Sequence, residues 1–403
     1  MIYGLKRCTN LLLASCAGAI AFGAQANDTI PSGFSKMPEF MIGAEISGGG
    51  VIGTNEFLRG DNTQLKAIKS TLGGAVRADF TFNPDSREGM LYRGLYQGLG
   101  IAPSTYFADE LLGNPVSLYV YQGAPIVHFN RNLWLGYEWQ FGAAFGWKHC
   151  DINSYDYNYN RSVSTSVTAH IGLGLKLHYS ITDRWQLSLG VGAIHYSNGN
   201  TSWPNAGVNT IGANIGVAYL LNPQKETDAD NSALEKEADK HRWYYDIMAY
   251  GAWRKRAVVV GETEQAQLCP GKFGVLGLQF APSYKLNRFV SIGPALDMQW
   301  DESAGLAPYW VDGSWDENIK FQRPPFGKQI SIGASAHAEL TMPIFSVNAG
   351  IGVNIINPKG DKRFYQSLTL KTFVTKNVYL NVGYRLGDFK DPQNLMLGVG
   401  VRL

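Results

Sequence analysis

The sequence predicts an all-β protein: an antiparallel outer-membrane β-barrel of sixteen strands, arranged in two sets of eight. Three observations carry this expectation. Apolar and polar residues alternate with period two along most of the chain, which is the signature of strands with two different faces. Charged residues make up only 17% of the 403 residues, while Gly (46), Tyr (21), Phe (19) and Trp (10) are abundant. Past the N-terminus no run of about 20 apolar residues occurs, so a membrane helix is excluded. A membrane chain without such helices must pair its backbone groups in a closed barrel. The formal net charge of +2 gives no bulk attraction to nucleic acid.

The N-terminus reads as a secretory signal. Lys6 and Arg7 supply the positive region, Leu11 to Phe22 the apolar region and Ala24-Gln25-Ala26 a small-residue cleavage site. The expected mature chain starts near Asn27 and is exported to the outer membrane. Leu13-Ala14-Ser15-Cys16 resembles a lipoprotein box, but the apolar stretch continues past Cys16. Cleavage after Ala26 leaves Cys150 and Cys269, both expected in surface loops. A disulfide between them stays open if their Cα atoms come within about 7 Å.

Candidate strands lie near 39–50, 71–82, 91–104, 116–128, 132–147, 166–180, 184–197 and 208–221. The clearest is 132–147. There Leu133, Leu135, Tyr137, Trp139, Phe141, Ala143, Phe145 and Trp147 share a lipid-facing parity, against Trp134, Gly136, Glu138, Gln140, Gly142, Ala144 and Gly146. A spanning strand needs about 9–11 residues. A second set lies near 242–257, 273–285, 288–300, 328–342, 345–356, 364–374, 377–386 and 394–403. Short turns at Asn130–Arg131, Thr182–Asp183, Leu286–Asn287 and Lys376 alternate with loops at 51–70, 105–115, 148–165, 198–207, 258–272 and 301–327. Short periplasmic turns and longer surface loops are the outer-membrane arrangement.

The expected domains are a signal peptide at 1–26, a first eight-strand set at 27–221, a charged periplasmic linker at 222–241 and a second set at 242–403. The linker shows one helical turn's worth of formers around Ala233 to Ala238. Thr182 to Val191 aligns without gaps to Thr375 to Tyr384, which suggests duplication. Inward parity carries Glu45, Arg77, Asp79, Glu138 and Lys176 beside many glycines. Complementary charges and small residues suit a filled interior, so two eight-stranded barrels are favoured over one sixteen-stranded barrel with an aqueous channel.

One hairpin carries the chemistry. His195 and Ser197 end the apolar face Trp185, Leu187, Leu189, Val191, Ala193, and Asn209 begins the apolar face of the next strand. The three share one lipid-facing surface at its loop end. Residues i and i+2 on a strand are about 7 Å apart and cross-strand neighbours about 5 Å. A hydroxyl, an imidazole and an amide so grouped fit nucleophile, base and orienting group. The plainer reading is an ordinary polar strand end. His170, His178 and His337 are expected as interior hydrogen-bonding residues beside Lys176 or Glu339. His128, His149 and His241 lack ligand spacing, so neither metal nor cofactor is inferred.

The stretch His195-Tyr196-Ser197-Asn198-Gly199-Asn200-Thr201-Ser202-Trp203-Pro204-Asn205-Ala206-Gly207 resembles the signature of the lipid A 3-O-deacylases, the PagL-type outer-membrane acyl hydrolases. The resemblance spans roughly 91–221. It implies an eight-stranded barrel with an exterior site, lipid A of lipopolysaccharide as partner, Ser197 as nucleophile and His195 as base. It further implies Asn205, with Asn198, at the oxyanion. The family's third residue is a Glu, and Asn209 stands at that position here, which weakens the expected activation. By the repeat, His195 and Ser197 fall on Asp388 and Lys390, so the second half reads as a degenerate copy. Two other functions stay open. One is a non-catalytic structural barrel or adhesin that binds through Tyr155, Tyr157, Tyr159, Trp310 and Trp315; the other is a pore.

Overall fold

The computed structural model describes residues 37–150, 160–223, 242–260, 265–269, 271–306, 323–358, 361–389 and 391–403. The expected signal peptide, nearly all of the linker, the tyrosines at 155, 157 and 159, Trp310, Trp315, His241 and Lys390 lie outside them.

The chain closes on itself twice. The first barrel comprises β1 (Glu39–Ile52), β2 (Ser70–Thr81), β3 (Tyr96–Thr105), β4 (Gly113–His128), β5 (Leu133–Trp147), β6 (Val167–Ser180), β7 (Trp185–Ser197) and β8 (Val208–Leu220). It shuts where Glu45 of β1 stands opposite Gly216 of β8. After β9 (Trp243–Arg254), β10 (Ala257–Val260) and β11 (Gln265–Leu268) form a separate hairpin. The second barrel continues with β12 (Phe273–Lys285), β13 (Val290–Asp301), β14 (Ile330–Thr341), β15 (Phe345–Ile356), β16 (Phe364–Phe373), β17 (Val378–Gly387) and β18 (Asp391–Arg402). It closes as β18 pairs with β9, Val401 opposite Ile247. Two eight-stranded barrels form, and no sixteen-stranded channel does.

Each interior is filled by paired charge. In the first barrel, Arg77 reaches Glu45 and Glu138, and Lys176 reaches the same two carboxylates. Tyr96 donates to Glu138 at 3.0 Å. In the second, Lys371 and Arg402 share Asp246 and Glu339. Buried charges are tolerable only when paired and hydrogen-bonded, and these networks meet that condition. The interior histidines behave as their inward parity suggests: His170 contacts Ser117 and Gln140, His178 contacts Gln186, and His337 contacts Ser283.

Four departures from the expected pattern have local causes. The strand expected from 91 starts at Tyr96, because α2 (Arg87–Leu91) precedes it. Ser86 caps that helix by accepting from Gly89 N–H at 3.0 Å, and Leu95 is buried with Met342 of the second barrel. Loop 51–70 likewise holds α1 (Glu56–Arg59), capped by Asn55 and ended by Gly60 at φ 119°. Trp147 leaves the lipid-facing parity: Gly146 adopts φ 90° and turns the strand, so Trp147 is buried and its indole N–H donates to Thr168 at 2.9 Å. Strand β9 stops at Arg254 instead of 257, where the chain turns into the β10–β11 hairpin.

Tyr137 and Trp139 keep their outward parity but meet protein. Trp139 packs edge-on against Phe345 at 5.6 Å, and Tyr92 against Phe289 at 5.6 Å. These contacts join the barrels near their periplasmic ends. Cys150 and Cys269 are both buried as thiols and are not joined to each other. Cys150 is tied by its backbone to Val163, whereas Cys269 packs with Phe273 and Leu306 of the second barrel.

Candidate active site

The β7–β8 hairpin places His195 directly opposite Asn209 across the ladder. Outward-facing Ala193 and Ile211 pair one step below, on one face, followed two residues on by Val191 and Ala213. Val191 and Ile211 are each 58% exposed, so this face meets lipid. The polar group therefore caps an apolar track at its extracellular end.

His195 Nδ1 lies 2.7 Å from Asn209 Oδ1. An amide oxygen only accepts, so Nδ1 carries the proton and Nε2 keeps its lone pair. Ser197, two residues along the same strand, is buried beneath the following loop. Among the described residues no hydrogen bond joins Ser197 Oγ to His195. Catalytic hydrogen bonds are often long before substrate binds.

The loop at 198–207 is held from three sides. Asn198 N–H donates to Asn205 Oδ1 at 3.0 Å, which folds the loop back on itself. The Asn198 amide nitrogen donates to Ser164 Oγ at 2.9 Å and to the Ser202 carbonyl at 3.0 Å. Both of its hydrogens are thus taken, and its Oδ1 is buried with no partner among the described residues. Asn205, with its oxygen accepting from Asn198, is the one of the two that keeps N–H groups to offer.

A shelf formed by residues 160–164 lies against the loop. The Ala206 and Gly207 N–H groups donate to the Arg161 and Ser162 carbonyls, each at 3.0 Å. Asn55 of the α1 cap donates to Ser162 Oγ at 3.0 Å. Gly207, at φ 73°, lies so close that a Cβ there would fall 3.0 Å from His195 Cε1. Under the site, Tyr106, Trp147, Val163, Tyr196 and Val208 form a buried apolar plug in the barrel mouth.

The third support comes from the other barrel. Asn200, at φ 63°, donates its side-chain amide to the Pro392 and Gln393 carbonyls of β18, each at 3.0 Å. Arg254 donates to the same Gln393 carbonyl at 2.7 Å. Of the residues expected at the site, the structure pairs His195 with Asn209 and Asn198 with Asn205, and Ser197 stands between the two pairs in sequence. Sequence reasoning missed Ser162, Ser164 and Asn200, because their partners are distant in sequence. In the second half, Asp388 pairs with Lys362 at 3.2 Å.

Residues 75–218 match the family described as lipid A 3-O-deacylase (PagL), and residues 243–403 match the acyloxyacyl hydrolase C-terminal domain. Among curated proteins none matches significantly. Similar solved structures include a de novo designed transmembrane β-barrel, at 14% identity and a TM-score of 0.23, covering 46% of this chain and 98% of that one. An outer-membrane channel from Pseudomonas putida F1 shows 10% identity and a TM-score of 0.20, covering 91% and 95%. The Pseudomonas putida toluene transporter shows 10% and 0.16, covering 93% and 90%. At such scores these likenesses say nothing of activity. The two family matches together leave out little beyond the N-terminal region and the linker, and both halves are barrels. The chain belongs to the PagL-type lipid A deacylase family and is an ester hydrolase of the outer membrane.

Proposed function

We propose that the chain removes an ester-linked acyl chain from lipid A in the outer leaflet, using Ser197 as nucleophile and His195 as base. Ser197 Oγ attacks the ester carbonyl carbon while its proton passes to His195 Nε2. The carbonyl becomes an oxyanion, for which Asn205 supplies N–H donors. Collapse expels the sugar hydroxyl, which takes the proton from His195, and leaves an acyl-serine. Water then attacks the acyl carbon, giving its proton to His195, and the fatty acid departs as Ser197 regains its hydrogen. The acyl chain lies along Leu189, Val191 and Ile211 on the outer face, so the substrate need not leave the leaflet. No cofactor takes part in these steps.

The single observation that carries the reading is the 2.7 Å His195–Asn209 contact beside Ser197 on a lipid-facing hairpin. Among the described residues, the side chains of these three polar groups make no hydrogen bond other than that one. In this reading Asn198 shapes the loop, and Asn205 faces the reacting carbonyl. The test is fatty-acid release from purified lipid A by the wild type and Ser197→Ala. Loss of release with retained β-barrel circular dichroism is expected, and unchanged release refutes the nucleophile. Lipid A of equal mass from cells with and without the protein refutes the substrate.

A further inference from the structure

Beside the catalytic loop, the extracellular mouth of the second barrel opens into a cleft of about 750 Å³. One wall is the loop itself, through Asn200, Trp203 and Asn205. The other wall is the rim and upper interior of the second barrel. The cleft is lined by more basic than acidic side chains. Three of the basic groups are neutralised: Arg161 by Glu56, Arg254 by Asp301 and Lys362 by Asp388 and Asp391. Against the remaining Asp361 stand Arg59, Lys255, Arg256 and Arg385.

Two of these are built into the wall with donors unused. Arg385 is 2% exposed and is fixed by Asn354 at 2.9 Å and by the Tyr365 ring at 3.8 Å. Its Nε has no partner among the described residues, and neither has the Nε of Arg256. A buried guanidinium donor without an acceptor is costly, unless a ligand supplies one. Arg254 next to Arg256 pushes the latter's guanidinium down to about 10, with burial adding to the effect. Among the described residues, positive charge is thus crowded here beyond what the lining carboxylates offset.

We propose that the mouth of the second barrel is an anion subsite that binds a phosphate on the sugar head group of the lipid hydrolysed at Ser197. Arginine forks match phosphate oxygens in geometry and charge. The position suits it: the cleft begins at the residues that follow Ser197, where the head group must lie once the acyl chain occupies the outer face. The second barrel, whose serine–histidine contact between Ser283 and His337 is buried in its interior, then serves the first by holding the polar end of the same molecule. This inference rests on the reading of Ser197 and His195 given above.

The test compares kcat/KM of the full-length protein on phosphorylated lipid A and on the same lipid after phosphatase treatment. The wild type is expected to favour the phosphorylated lipid by about tenfold or more, chiefly through KM, as charge-assisted hydrogen bonds allow. In Arg256→Gln and Arg385→Gln that ratio falls toward unity, and Arg256→Lys restores part of it. A poorly folded variant lowers both rates and leaves the ratio, so folding and binding are separated. A wild-type ratio of one, or a ratio unchanged in both glutamine variants, overturns the subsite while leaving the hydrolase intact. Turnover of neither lipid by the wild type refutes the hydrolase reading itself. Adding inorganic phosphate to the dephosphorylated lipid is expected to do nothing; stimulation would mark a free-anion effector and overturn the head-group assignment.

Discussion

Replacing Asn209 tests the orienting role most directly. Its Oδ1 accepts from His195 Nδ1 at 2.7 Å, a neutral hydrogen bond at a partly buried position. A neutral bond contributes about 0.5–1.5 kcal/mol and one to a charged group about 1.5–3 kcal/mol. As His195 takes the serine proton it becomes an imidazolium, so a carboxylate at 209 strengthens the contact in the transition state more than in the ground state. The difference of about 1–1.5 kcal/mol corresponds to roughly a tenfold rise in kcat for Asn209→Glu. Asn209→Leu removes the acceptor, frees the ring tautomer and lowers kcat by roughly 5- to 150-fold, for a loss of about 1–3 kcal/mol. The side chain points outward at a strand end, so the ladder between β7 and β8 survives both changes. The assay is fatty-acid release in detergent, with circular dichroism to verify the barrel. If the Glu variant is slower and the Leu variant matches the wild type, Asn209 does not orient His195.

Two further outcomes follow from the interiors and the loops. Lys371 sits between Asp246 at 2.6 Å and Glu339 at 2.5 Å inside the second barrel; Lys371→Met leaves two buried carboxylates to Arg402 alone and costs about 3–5 kcal/mol, read as a lowered urea midpoint. An unchanged midpoint would show the charges to be solvated. Burial pushes the Cys269 thiol up to about 11, so maleimide labelling of the native protein at neutral pH is slow and speeds up as pH rises toward that value. After denaturation without reductant two thiols react in mature protein; none reacting would reveal a disulfide that the structure lacks.

The barrel was legible because alternation is local. Every second residue from Leu133 onward reports its face, whatever the rest of the chain does. Parity cannot tell lipid from a second barrel, so Tyr137 and Trp139 read as lipid contacts although they meet protein around Phe345 and Met342. Nor does it foresee one residue in an unusual conformation, as Gly146 shows by turning Trp147 inward. The pairing of His195 with Asn209 was legible for the same reason: one step further on, Tyr196 stands opposite Val208, and residues 197–207 close the hairpin between them. What holds that loop was hidden, since Asn198 finds Ser164 34 residues away and Asn200 finds β18 at 192 and 193 residues.

That last distance bears on when the enzyme becomes competent. Contacts between remote parts of a chain form late, because closing a long segment costs entropy before any contact offsets it. The carbonyls that hold Asn200 belong to the final strand, whose own place is fixed only when β18 seals against β9. The first barrel can therefore close before its working loop is set. Completion of assembly thus supplies the last of the loop's three supports, after the two that the first barrel provides by itself.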